Sequence, residues 1–419
     1  MAGRFLRKCG KEERTVKRLV SFLLVWILLG GNWALAEFAE EAWYREALEE
    51  CEVSLGNNLR MKNVIRRART GEQITIGTVG GSVTEGGAAA RYEECWAMRF
   101  ASRFGETYGT EGGANVALVN AGVGGTASPF GYMRYGRDIL SRVPENDPDG
   151  YPDIVVIEYA VNDWGEPTGC RCYESMVKEI LSQPNAPVVI LLFAVRDDGW
   201  NLQGDLQKIG ERYDLTMVSM KGIYRHLEKD FPKKGYFKDD YHPNSTGHRM
   251  MADALMQAVA DADAEETADT DIDLSVKPVY GTDFLGLKTI YGEGKTKGIN
   301  VERGSFDKID KTAYSNTPVG LVCGKNFCHG TASGTEPMRV TGVFRKCLIA
   351  WKAAGDDVYG AADILVDGEK VMTLEGGPGK WGQSEVVLVL DEREAAEHTI
   401  EIRVTEEGKR FTVTAVSVQ

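Results

Sequence analysis

The sequence predicts an α/β protein in two parts: a three-layer, doubly wound parallel sheet, then an all-β jelly roll or sandwich. Three observations carry this. The chain has 419 residues, 43% of them hydrophobic and 26% charged, which is enough for two cores and too apolar for a disordered, collagen-like or coiled-coil protein. Residues 37–260 alternate short apolar runs with stretches of helical spacing. Beyond residue 273 the helical spacing stops and only β-type runs remain.

The first 36 residues stand apart from both. Arg4, Arg7, Lys8, Lys11, Arg14, Lys17 and Arg18 precede an apolar run from Leu19 to Leu29, and Ala34-Leu35-Ala36 has the small-x-small form of a cleavage site. That order is a secretory signal peptide, so the chain is expected to be secreted, cell-surface or periplasmic after cleavage at Ala36. The other reading is an uncleaved anchor, the run being just short of the ~20 residues a membrane span needs. The net charge is −13. Without the first 36 residues, 42 basic side chains face 60 acidic ones, a balance of −18. Such a surface suits neither nucleic acid nor anionic lipid, and neither is expected as a partner.

In the first part the strands are Ile74–Val79, Val116–Asn120, Ile154–Glu158, Val188–Phe193 and Thr216–Met220. Their unbroken apolar character is what a parallel sheet covered on both faces requires. Between them Trp96–Phe104, Tyr173–Leu181 and Leu206–Tyr213 read as helices, and Gly247–Val259 closes the layer as a helix capped by Asn244 or Ser245. Residues 261–276, rich in Ala, Asp, Glu and Thr, read as an acidic, solvated linker. The second part, 277–419, has β-type runs at Val340–Phe344, Cys347–Trp351, Ala362–Val366, Val386–Leu390, Thr399–Val404 and Phe411–Val416. Asp367-Gly368 and Glu407-Gly408 are turn signals between them.

Four polar or glycine-rich segments follow strands or precede the last helix. They are Gly80-Gly81-Ser82-Val83-Thr84-Glu85-Gly86, Asn120-Ala121-Gly122-Val123-Gly124-Gly125-Thr126, Ala160-Val161-Asn162-Asp163 and Asp239-Asp240-Tyr241-His242-Pro243-Asn244. Open α/β sheets bind ligands beyond the carboxyl ends of their strands, where these segments fall. A serine among glycines at the end of the first strand suits an exposed nucleophile, but its hydroxyl needs a base. His242 is the best candidate because imidazole titrates near neutral pH. Asp239 or its neighbour Asp240 would orient the ring, Asp239 being three residues away and better placed on the same turn.

The four segments together resemble the four blocks of the SGNH (GDSL-like) hydrolase family over residues 72–260. The resemblance implies the flavodoxin-like SGNH hydrolase fold, with Ser82 as nucleophile, Asp239 and His242 completing a triad, and Ser82, Gly125 and Asn162 as oxyanion donors. Two blocks depart from the family: Gly-Asp-Ser reads Gly80-Gly81-Ser82, and Gly-x-Asn-Asp reads Ala160-Val161-Asn162-Asp163. Neither removes a reacting group. The chain also resembles secreted polysaccharide acetylesterases around Asn120–Phe130 and Asp239–His248. That implies a serine esterase deacetylating a polysaccharide or oligosaccharide, with no metal, nucleotide or redox cofactor. The family also holds lysophospholipases and thioesterases, so an acyl-lipid or thioester substrate is the alternative. A carbohydrate-binding protein with a retired hydrolase site is a second one.

Trp164, Arg196 and Trp200 follow strand ends and are weaker candidates for lining a substrate cleft, while Glu85 and Arg91 read as a solvated pair. His226 and His248 lie in helical patterns and read as surface or packing residues, and Asp163 as a local backbone partner. Cys51, Cys95, Cys170, Cys172, Cys323, Cys328 and Cys347 match no zinc or redox spacing and read as buried or loosely paired thiols. The second part resembles galactose-binding-like jelly rolls around Ala361–Val371 and His398–Val418. Its Tyr291, Trp351, Tyr359 and Trp381 would then either stack on sugars or fill the core.

Overall fold

A computed structural model describes residues 41–292, 296–313, 323–378 and 383–419. The signal-peptide expectation and Trp381 lie outside the described residues. Among the described residues no helix is long and apolar enough to cross a membrane.

The first part is built on six strands: β1 (Glu52–Ser54), β2 (Ile74–Gly80), β3 (Val116–Gly122), β4 (Ile154–Glu158), β5 (Val188–Phe193) and β6 (Thr216–Ser219). Their order is β1-β6-β5-β4-β2-β3. The strands from β2 to β6 run parallel, and the short β1 adds an antiparallel edge against β6. Alternate residues of each buried strand serve opposite faces. Ile74, Ile76, Ile154, Val156, Ile190 and Val218 pack under the helices Ala42–Cys51, Leu59–Arg69, Trp96–Tyr108 and Ser245–Ala264. Val79, Val119, Val155, Ile157, Val189, Leu191 and Met217 face the helices Ser128–Asp138, Arg171–Leu181 and Gln203–Arg212. The result is the three-layer arrangement expected. The cap of the last helix is Asn244, whose Oδ1 accepts the N–H groups of Thr246 at 2.9 Å and Gly247 at 3.1 Å. The helix runs on to Ala264, into the stretch read as linker.

The rest of that stretch is held down. Asn58 Oδ1 accepts the Ala268 N–H, and Asn58 Nδ2 donates to the carbonyls of Ala262 and Glu266. Arg60 makes a two-pronged ion pair with Asp271, at 2.7 and 2.9 Å. The buried Glu174 carboxylate takes the N–H groups of Val279, Tyr280 and Gly281. Residues 265–281 therefore run along the α/β layer, largely exposed but pinned to it at these points.

The second part is an antiparallel β-sandwich. Its strands are β7 (Lys288–Ile290), β8 (Ile299–Glu302), β9 (Phe327–His329), β10 (Met338–Ala353), β11 (Ala361–Val366), β12 (Glu369–Glu375), β13 (Gln383–Val404) and β14 (Phe411–Val418). The path β12-β11-β13-β10-β14-β7 carries the sheet, with β8 on β10 and β9 on β14. β10 and β13 each merge two of the expected runs into one long strand. Register shifts near Phe344–Leu348 let β10 pair β8 through its first half and β14 through its second. Trp351 and Tyr359 are buried, Trp351 within the sandwich core, so neither presents a ring for sugar stacking.

The two parts share a core. Leu348, Ala350 and Ala415 join Phe284 in the cluster that includes Tyr132, Tyr173 and Met176 of the helices below. Arg171 bridges Asp283 and Asp391, both at 2.8 Å. All seven described cysteines are buried and unpaired.

Candidate active site

Strand β2 ends at Gly80, and a one-turn helix, Ser82–Glu85, begins at the serine. The chain can turn so closely because Gly81 has no side chain: a Cβ there would fall 2.4 Å from Asn162 Oδ1. The Asn162 side chain thus lies directly against the residue preceding Ser82. Strand β3 delivers the second segment, and a Cβ on Gly124 would stand 3.5 Å from Ser82 Cβ. Asp163 ties this segment to the third, its buried Oδ1 accepting the Ser128 N–H at 2.7 Å. Burial pushes the Asp163 carboxyl up to about 8, against the pull of that N–H.

The fourth segment supplies the base. His242 Nε2 lies 2.8 Å from Ser82 Oγ, and His242 Nδ1 lies 2.8 and 3.0 Å from the two oxygens of Asp239. Asp239 also accepts the N–H groups of Tyr241 and His242, both at 2.9 Å. Although burial pushes its carboxyl up, those two N–H groups and the imidazole outweigh it and hold Asp239 below the ordinary range. A carboxylate kept ionised against Nδ1–H leaves the Nε2 lone pair facing the hydroxyl, the arrangement that lets a serine lose its proton. Among the described residues the Asp240 carboxylate makes no hydrogen bond to His242; the Asp240 carbonyl accepts the Asp197 N–H at 3.1 Å.

Ser82, Asp239 and His242 are therefore brought together, with Asn162 and the Gly124–Gly125 turn beside them. The weaker candidates divide. Trp164, two residues beyond Asn162, is 79% exposed. The Arg196 guanidinium lies between the rings of Tyr241, at 4.8 Å, and Trp200, at 5.6 Å, and pairs with Asp198 at 3.1 Å. This stack steadies the turn that carries Asp239 and His242. His248 is buried behind the site, its Nδ1 accepting the Trp96 N–H at 3.3 Å and its Nε2 donating to the Gly87 carbonyl at 3.0 Å. Glu85 does not pair with Arg91, which bonds Glu94 instead. Two contributors escaped the sequence reading. Asn120 links the Thr84 carbonyl to the Gly122 N–H, each at 2.8 Å, and Glu85 Oε2 accepts the Gly124 N–H at 2.8 Å. Among the described residues no group of His, Cys, Asp and Glu is arranged to hold a metal ion.

Residues 78–250, which contain every one of these groups, match the sequence model of the GDSL-like Lipase/Acylhydrolase family. The chain carries a GDSL-like hydrolase domain. The hydrolase domain and the sandwich together are similar to a two-domain esterase (CEX) active on acetylated mannans, solved alone and co-crystallised with mannopentaose. The first structure is 25% identical, covers 88% of this chain and 98% of its own, and superposes with a TM-score of 0.75. The mannopentaose complex is 24% identical, covers 88% of this chain and 97% of its own, with the same TM-score of 0.75. No curated protein matches the chain. The hydrolase domain therefore has the SGNH esterase fold, and the chain is an ester hydrolase.

Proposed function

We propose that this protein is an exported serine esterase that removes acetyl groups from an O-acetylated polysaccharide or oligosaccharide through an acetyl-enzyme on Ser82. The observation that carries this reading is the unbroken line Asp239–His242–Ser82, with contacts of 2.8 Å on each side of the ring. Ser82 Oγ attacks the acetyl carbonyl carbon as its proton passes to His242 Nε2. The tetrahedral oxyanion is met by the N–H groups of Ser82 and Gly125 and by the side-chain NH2 of Asn162, whose buried Oδ1 has no hydrogen-bond partner among the described residues. The C–O bond to the sugar then breaks as the imidazolium returns its proton to the departing oxygen. Water, deprotonated by His242, attacks the acetyl-serine and releases acetate.

A carbohydrate substrate is supported by the two-domain esterases of similar fold that act on acetylated mannans. Export is supported by the basic start, apolar run and Ala34-Leu35-Ala36 of the first 36 residues. The test is acetate release from acetylated mannan, xylan and pectin, by the native enzyme and by Ser82→Ala, with fluorophosphonate labelling followed by intact mass. One adduct at Ser82 and an inactive alanine variant are expected. Labelling elsewhere, or full activity without the hydroxyl, sinks the assignment. Hydrolysis of long-chain lipid or thioester substrates alone would replace the carbohydrate reading.

A further inference from the structure

We infer that Glu85 is a positioning residue of the esterase: its carboxylate ties the turn that carries the Gly125 oxyanion donor to the short helix that carries Ser82. The inference rests on the esterase reading above and adds a residue to it.

The helix Ser82–Glu85 is one turn long and stops at Gly86, whose φ of 103° is left-handed. The turn after β3 rides directly on it. Three successive N–H groups of that turn are anchored, each differently. Gly122 donates to Asn120 Oδ1 at 2.8 Å, Val123 to the Gly80 carbonyl at 3.1 Å, and Gly124 to Glu85 Oε2 at 2.8 Å. The next N–H, that of Gly125, has no acceptor among the described residues. Glu85 therefore makes the last fixed point before the group that would meet the oxyanion.

Chain stiffness cannot replace that point. Gly124 and Gly125 have no side chains of their own to pack, and glycine is the residue with most backbone freedom to lose. An oxyanion donor is useful only if it is already aimed when charge develops, since reorientation during the reaction consumes the gain. The contact is close: a Cβ on Gly124 would lie 2.7 Å from Glu85 Oε2, so a side chain there would push the carboxylate aside.

The position of Glu85 is hard to explain as mere solubility. It is only partly exposed, and burial raises its carboxyl, while the Gly124 N–H, the buried Arg134 and His242 act in the opposite direction. Keeping a carboxylate there is unfavourable unless it is paired or hydrogen-bonded. The cationic Arg134 is itself fixed by Asp138 and by the Ala121 carbonyl of β3. Glu85 thus stands where the nucleophile helix, the end of β3 and the His242 turn meet.

The experiment measures kcat and KM for p-nitrophenyl acetate with native enzyme, Glu85→Ala and Glu85→Gln, beside thermal melts. Loosening one donor without removing it should cost less than the ~10²–10³-fold loss that follows deletion of a donor. Glu85→Ala is therefore expected to lose about 10–100-fold in kcat, with KM changed less than about threefold. Glu85→Gln keeps an oxygen acceptor at the same reach and should recover to within about threefold of the native rate. If Glu85→Ala does not fold, Glu85→Asp, one methylene too short to reach Gly124, carries the same comparison. A Glu85→Ala enzyme with native kcat overturns the tether. So does a Glu85→Gln enzyme as impaired as Glu85→Ala, since that would make charge the requirement. Failure of the esterase reading looks different: the native enzyme itself would turn over no ester and take no fluorophosphonate at Ser82.

Discussion

The side chain of Asn162 occupies the space that a Cβ on Gly81 would need, with its Oδ1 2.4 Å from that position. The residue before the nucleophile is thus matched to one proposed oxyanion donor.

Gly81→Ala should therefore displace the Asn162 amide while leaving the apolar cores untouched. A misaimed donor approaches a missing one, so kcat should fall by about 10–10³-fold with little change in KM. Steady-state kinetics on p-nitrophenyl acetate, beside a thermal melt, checks this. Native turnover would show that Asn162 moves aside without consequence.

Asp239→Asn should reduce turnover far more than Asp240→Asn. Only Asp239 reaches His242 Nδ1, at 2.8 and 3.0 Å, and an asparagine there favours the wrong tautomer. Losses of about 10³-fold or more against less than about threefold are expected. Equal small losses would point to a Ser82–His242 pair acting without an orienting acid.

Acetyl esters should be preferred over octanoyl esters by at least about 10-fold in kcat/KM, or roughly 1.4 kcal/mol. Ser82 is bordered by backbone: a Cβ on Gly87 would lie 2.9 Å from its carbonyl, and one on Gly124 3.5 Å from its Cβ. Backbone packed that closely offers little side-chain surface with which to hold a long chain. The series p-nitrophenyl acetate, butyrate and octanoate measures it, after subtraction of background hydrolysis. Best activity on octanoate would contradict it.

His248 should make stability fall in mild acid. Burial, helped by Arg99 and His242, takes its pKa down to about 4, against the Gly87 carbonyl. In the unfolded chain the same group titrates near ~6.5, so between these values only the unfolded state binds the proton. Stability from this residue is complete above ~6.5 and is lost as pH falls towards 4, by about 2 kcal/mol between pH 7 and 5. Denaturant titrations at pH 7 and pH 5 should show that extra loss in the native chain and not in His248→Gln. Identical pH slopes would assign the acid sensitivity to other groups.

The five parallel strands were legible because burial on both faces demands continuous apolar runs. The helix Ser128–Asp138 was not, because Pro129, Gly131 and Gly136 interrupt its pattern and nearly all of its residues are buried, so no polar face marks a period. The long strands β10 and β13 read as pairs of short ones. Arg345 and Lys346 break the apolar run in the first, and the charged stretch from Asp391 to Glu397 breaks it in the second, although each strand continues across the register shifts there. The juxtaposition of Ser82, Asp239 and His242 was readable because each follows a strand or precedes a helix within the four segments that resemble the family's blocks. The tether from Glu85 to Gly124 spans 39 residues between two glycine-rich turns, and no local spacing announces it.

The shared core beneath the sandwich has a consequence for how the protein can be handled. Leu348, Ala350 and Ala415 are buried in one cluster with side chains of the hydrolase domain. A hydrolase domain cut free before β7 would carry an apolar scar across the helices Ser128–Asp138 and Arg171–Leu181, and Arg171 would keep Asp283 but lose Asp391. Such a fragment is prone to self-association. The two layers should accordingly melt in a single calorimetric transition, the sandwich serving as the lid of the other's core rather than as a module that can be exchanged.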